Sequence, residues 1–150
     1  MAQRQKVASF LALANLVVGI AGLFSPLVTG NRDRVINIRP GLLFGIFAIN
    51  WVHALLHLMV GLIGIPARRN AGLGVRYLQL HALLFSFLSA AGWRMVRGPR
   101  RIHMMMGMAL DTPGNIVHTL WAVLGAWFGF GLRARELAAP ALRREREIGS

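Results

Sequence analysis

Four histidines lie in or at the start of long apolar stretches: His53, His57, His81 and His118. His53 and His57 are spaced i, i+4, so they share one face of a helix. His118 opens a later apolar stretch in the equivalent place. An ionisable side chain inside a membrane is costly and suggests function by default. Imidazole ligates both metals and haem. If the two helices face one another, His57 and His118 could hold haem, a (bacterio)chlorophyll-type pigment or a metal, with His53 and Asp111 nearby. The plainer reading has each imidazole hydrogen-bonded to a loop carbonyl or an opposing Asn. This pins the loop to the helix start, where free backbone groups need partners. The plainer reading is preferred, above all at His53, which is placed close to the interface.

His81 follows Tyr77 and Gln79, and the three could make a small polar cluster near one membrane face. An axial pigment ligand is possible there, but a hydrogen bond to a neighbouring helix is the simpler role. The run His103-Met-Met-Met-Gly-Met108 offers soft thioethers for Cu(I). It lacks the spaced Met or Cys of copper carriers, and Met also fills irregular apolar surfaces, so it reads as an interfacial loop. No dedicated metal site is assigned from spacing alone. No paired intramembrane carboxylate, nucleophile with an adjacent base, or HExxH motif is present, so no catalytic residue is assigned and the chain is not expected to be an enzyme.

The elements that must position these residues are membrane spans. Hydrophobic residues make up 55% of the 150-residue chain and charged residues 15%, against about 25% charged in ordinary soluble domains. Four stretches can span, at about 7–28, 51–67, 72–95 and 113–132, given that about 20 apolar residues cross the hydrocarbon. Asn50 is an N-cap for the second. Asp111, Thr112 and a first-turn proline open the fourth. The apolar run after the basic N-terminus is longer than a signal-peptide core and is read as a retained helix. The segments 41–49 and 102–110 are apolar but too short to cross, and are read as interfacial or re-entrant. Residues 133–150 form a charged tail. The net charge of +12 comes from arginines between apolar stretches. It fits juxtamembrane topology signals and lipid headgroups better than nucleic acid. Arg and Lys number ten on one side and seven on the other, which places both termini in the cytoplasm. With no cysteine, thiolate chemistry is excluded.

Small residues recur at Gly19 and Gly22, at Gly61 and Gly64, and at Gly125 and Gly129, a GxxxG pair. They could pack the helices on one another or dock a partner subunit. At an offset of 61 residues, Asn50-Trp-Val-His-Ala-Leu-Leu-His57 lies over Asp111-Thr-Pro-Gly-Asn-Ile-Val-His118, and Gly64 lies over Gly125. The chain therefore reads as two tandem, parallel helix–loop–helix repeats.

The segment GIFAINWVHALLHLMVGLIGI and its echo DTPGNIVHTLWAVLGAW resemble a group of small bacterial membrane proteins known only as a domain of unknown function, number 4383. The family pattern is roughly Asn-Pro-x-His-Asn-x-x-His, given twice. Trp51 stands where Pro is usual and Ala54 where Asn is usual, whereas Asn115 keeps the Asn in the second copy. Asp111 replaces an Asn, and Gly114 stands where a His can occur. The resemblance covers most of 7–132. It implies a four-helix bacterial membrane protein and no particular activity.

The expected protein is an all-α integral membrane four-helix bundle in the bacterial inner membrane, made of two parallel two-helix repeats with interfacial or re-entrant loops. It would contact lipids and other membrane subunits or copies of itself, but no nucleic acid. The expected role is a non-catalytic accessory subunit of a larger membrane complex. One alternative is a haem- or chlorophyll-binding protein of a photosynthetic or respiratory complex, using His57, His118, His53 and His81. The other is an oligomeric channel or transporter.

Overall fold

A computed structural model describes residues 3–98 and 101–131. The expected tail at 133–150 and Arg100 lie outside these residues. The structure is mostly helical, with α1 over Gln3–Leu23, α2 over Trp51–Gly64, α3 over Ala71–Met95 and α4 over Thr112–Ala126. Three segments are long and apolar enough to cross a membrane: Gln3–Leu23, Trp51–Arg68 and Ala71–Met95. The second reaches that length because a 3-10 turn, Ile65–Arg68, prolongs α2 through Pro66. α4 ends in a π-helical turn over Trp127–Gly131.

The first helix is shorter at its C-terminal end than the sequence suggested. Pro26 cannot donate to a helical hydrogen bond. The chain turns there through a 3-10 turn at Ser25–Leu27 into β1, Val28–Thr29. The apolar segments read as interfacial loops contain antiparallel hairpins. β2 (Gly41–Leu43) pairs with β1 and with β3 (Phe47–Ile49), and β4 (His103–Met105) pairs with β5 (Met108–Leu110). Hairpin formation satisfies backbone groups that an apolar loop beside lipid would leave unpaired. Phe44 and Met106 take positive φ at the hairpin tips, next to Gly45 and Gly107, which do the same.

α1 packs along α2, α3 packs along α4, and α1 also touches α3. The glycines make these close approaches possible. A Cβ on Gly19 would stand 2.5 Å from the Leu58 amide nitrogen, and one on Gly61 would stand 2.6 Å from that of Leu16. Gly125 and Gly129 sit on the Ala82 and Gln79 backbone of α3, where an added Cβ would come to 3.0 Å from the amide nitrogens. Gly22 faces Ile49 and Ala54, and Gly64 faces Ala12 and Tyr77. All six glycines singled out in the sequence are thus occupied by packing within the chain.

Apolar side chains face outward, and polar ones lie buried within an otherwise hydrophobic core. Phe10, Leu13, Val17, Ile63, Leu80, Leu83, Leu120 and Val123 point outward, while Asn15, His53, His57, His81, Asn115 and His118 are buried. Such an apolar jacket around polar side chains suits lipid as the surrounding solvent.

Two predictions follow from this packing. Gly19→Ala forces a methyl into backbone and should cost about 1–3 kcal/mol. This is readable as a lowered Tm in detergent, whereas outward-facing Leu13→Ala should leave Tm nearly unchanged. In the segment before β2, the Asp33 carboxylate accepts hydrogen bonds from the Ile38 and Arg39 amides, both at 2.8 Å. The Arg39 amide chiefly holds this carboxyl below its usual pKa, against a desolvation cost, helped by the Ile38 amide and the Arg39 charge. The contribution to stability is therefore complete above the unfolded value of about 3.9 and disappears as pH falls through the lower folded value. The Ile38 and Arg39 amide proton shifts should titrate with a midpoint below that value, and a midpoint at or above it would refute the assignment.

Candidate functional site

The site is assembled at the starts of α2 and α4. The Asn50 side chain accepts from the His53 amide at 3.2 Å and caps α2. Asp111 accepts from the Gly114 amide at 2.9 Å and caps α4. Thr112 is the first residue of α4 and is not its cap: its hydroxyl donates to the Gly98 carbonyl. Each capping side chain also grips the hairpin that precedes the other cap. Asn50 accepts from the Ala109 amide at 3.1 Å and donates to the Gly107 carbonyl at 2.8 Å. Asp111 accepts from the Ala48 amide at 3.0 Å. The Asn50–Ala109 and Asp111–Ala48 contacts correspond at the same 61-residue offset. They seat β3 against β5 and bring the two helix starts together.

Between these caps, the imidazoles of His53, His57 and His118 converge. One ligand-competent nitrogen of each lies within 4.8 Å of the other two. His53 Nε2 is 3.0 Å from His57 Nε2 and 3.3 Å from His118 Nε2. All three residues are buried, at 4%, 3% and 2% exposure. His53, placed by the sequence near the interface, lies between the other two. Phe85 and Trp121 pack edge or face against these rings, and Phe85 is fully buried.

Hydrogen bonds on the far side of two rings locate their protons. His53 Nδ1 is 2.7 Å from the Ala109 carbonyl oxygen, which can only accept, so this nitrogen carries the hydrogen. His57 Nδ1 is 2.9 Å from Asn15 Oδ1. The Asn15 amide cannot be reversed without losing its donation to the Leu11 carbonyl at 2.8 Å, so His57 also carries hydrogen on Nδ1. As neutral rings, His53 and His57 then direct bare Nε2 lone pairs at each other. His118 Nδ1 has no hydrogen-bond partner among the described residues. Chemically, the His53 and His57 Nε2 lone pairs and the His118 Nε2 atom share one small region, and with the His118 hydrogen on Nδ1 all three could ligate a cation there.

His81 stands apart from the trio and joins it through Asn15. The Asn15 amide nitrogen contacts His81 Nε2 at 3.2 Å. His81 packs against Tyr77, with ring centroids 5.6 Å apart. Gln79, grouped with these two in the sequence, instead donates to the Gly129 carbonyl on α4. His103 accepts from the Arg97 amide at 3.1 Å, tying β4 to the end of α3. Asn15 was not singled out from the sequence. Its signal was there: an amide in the middle of an otherwise apolar span is costly without a buried partner.

A cavity of about 70 Å³ adjoins the trio. Its walls include Val18, Phe47, Val117 and Trp121. Drug-sized ligands fill clefts of about 300–1,000 Å³, so this space suits an ion with a small ligand better than a macrocycle.

Asn50→Ala removes a cap and leaves the buried Ala109 amide unpaired. It should cost about 2–4 kcal/mol in detergent unfolding. A loss below about 0.5 kcal/mol would show that the hairpins are seated by something else.

No curated protein and no solved structure gave a match to the chain. A family model does match, over residues 5–131. The chain, with its paired cap-and-histidine segments, belongs to the family described as a domain of unknown function (DUF4383).

Proposed function

We propose that this protein is an integral membrane protein that holds a divalent first-row metal ion on His53, His57 and His118. The observation that carries this reading is the convergence of three Nε2 atoms, two of them on rings whose Nδ1 hydrogens are committed elsewhere. Ligands at about 2.0–2.1 Å around a tetrahedral ion lie roughly 3.3 Å apart. The His53 contacts of 3.0 and 3.3 Å are near that spacing, while the widest pair, within 4.8 Å, must draw in on an ion. A shared proton would bridge two of the nitrogens and leave the third unsatisfied, whereas a metal engages all three. Imidazole nitrogen suits zinc, copper, iron and nickel. The Ala109 carbonyl and Asn15 amide are the outer partners that metal-bound histidines normally have.

In this reading, the four helices form a bundle of two tandem repeats with the hairpins at one membrane interface. The corresponding cap contacts support that arrangement. The arginine distribution supports both termini on the cytoplasmic side, and the bacterial inner membrane rests on the resemblance to the small bacterial membrane family. The converging nitrogens and small cavity favour an ion over haem or a pigment. An accessory role beside a larger membrane assembly draws its support from the apolar outer jacket, since the glycine faces are used internally.

The test is metal analysis of protein purified in mild detergent without chelators, then loaded with Zn²⁺ or Co²⁺. About one equivalent per chain is expected. His118→Gln should lose it while keeping its elution profile. Asn15→Leu, which frees the His57 ring, should weaken affinity about 10–100-fold. A wild-type protein that takes up neither ion sinks the proposal.

A further inference from the structure

We infer that the metal centre keeps one coordination position open to the adjoining cavity, and that this position takes a small monoanion, hydroxide formed from water included. The inference rests on the three-histidine reading above. Three protein ligands leave a tetrahedral ion one position short, the arrangement of centres that bind water or substrate. The three histidines all line the cavity, so the position they leave vacant has a space beside it. That space of about 70 Å³ can hold a few water-sized groups, each needing on the order of 10–15 Å³ by the same kind of measure.

Charge selects the class of ligand. Three imidazoles without their Nε2 hydrogens are neutral, so a divalent ion keeps its full charge in an apolar surrounding. Burying an uncompensated charge is strongly unfavourable. The buried carboxylate nearest in the fold, Asp111, is committed to the Gly114 and Ala48 amides. The remaining wall, with Val18, Phe47, Val117 and Trp121, brings no ionised side chain. Compensation therefore falls to the exogenous ligand. An anion supplies it directly, and water supplies it by releasing a proton, as metal-bound water does far more readily than bulk water. Val18, Phe47, Val117 and Trp121 are each half-buried, so the cavity reaches the protein surface beside α1 and α4.

Azide titrated into the Co²⁺-loaded protein tests this, with the visible d–d spectrum as readout. Azide should shift the bands of the wild-type protein. Val117→Phe, which touches no ligand and fills the cavity, should keep its Co²⁺ and weaken the azide response by about tenfold or more. A Co²⁺ spectrum unmoved by saturating azide overturns the open position while leaving the metal site standing. An azide response unchanged in Val117→Phe overturns the cavity as its location. Failure to bind Co²⁺ at all overturns the metal reading, and this inference with it.

Discussion

The hydrogen bond from His53 Nδ1 to the Ala109 carbonyl, 2.7 Å long, is the contact on which the rest of the structure turns. It joins α2 to β5 and sets which nitrogen of His53 carries hydrogen. It thereby aims the other nitrogen at His57 and His118. His53 and Ala109 are both buried, so little water competes for this bond, and a polar group left unpaired there would be costly. The same requirement explains the neighbouring contacts. Asn50 and Asp111 each serve a helix end and a hairpin amide at once, so few polar groups satisfy many backbone atoms. The hairpins themselves answer this constraint, since strands pair the amides and carbonyls that a loop would leave bare.

Helix packing supplies the frame in which those bonds fit. α1 approaches α2 through Gly19 and Gly61, and α4 approaches α3 through Gly125 and Gly129. Such close backbone contact is the packing mode that membrane-spanning helices use where the hydrophobic drive between them is weak. The glycines hold those two interfaces tight, and the rings of His53, His57, His118, Phe85 and Trp121 meet between the packed pairs. The polar side chains are thus buried among apolar core residues, and the outward faces of the helices carry further apolar side chains.

Chemically, the three-histidine cluster contains no carboxylate. Aspartate sits close by in the fold but is spent on backbone amides. The rings are neutral donors beside an apolar-walled cavity, so a cation held on them would keep its Lewis acidity. Asn15 extends the network to His81, using its oxygen for His57 and its nitrogen for His81. One amide thereby orients two rings from different helices.

The sequence alone determined that this is a chain of apolar helices. Lipid-crossing length and hydrophobicity are local properties, legible in the stretches that became α1, the prolonged α2 and α3. It also determined the positions of the caps, since an Asn or Asp just before an apolar helix is a local signal, and the shared face of His53 and His57, since helical periodicity sets it. The pairing of Asn50 with the second hairpin and of Asp111 with the first was not legible. Each joins residues about 60 positions apart, and a strand of three residues carries too little pattern to announce itself. Nor could spacing show that His53 stands between His57 and His118, that Asn15 locks a ring, or that six glycines are consumed internally. Those facts depend on how the helices sit against one another. Only the tertiary structure decides that, because the direction of a lone pair is set by the partner across the fold.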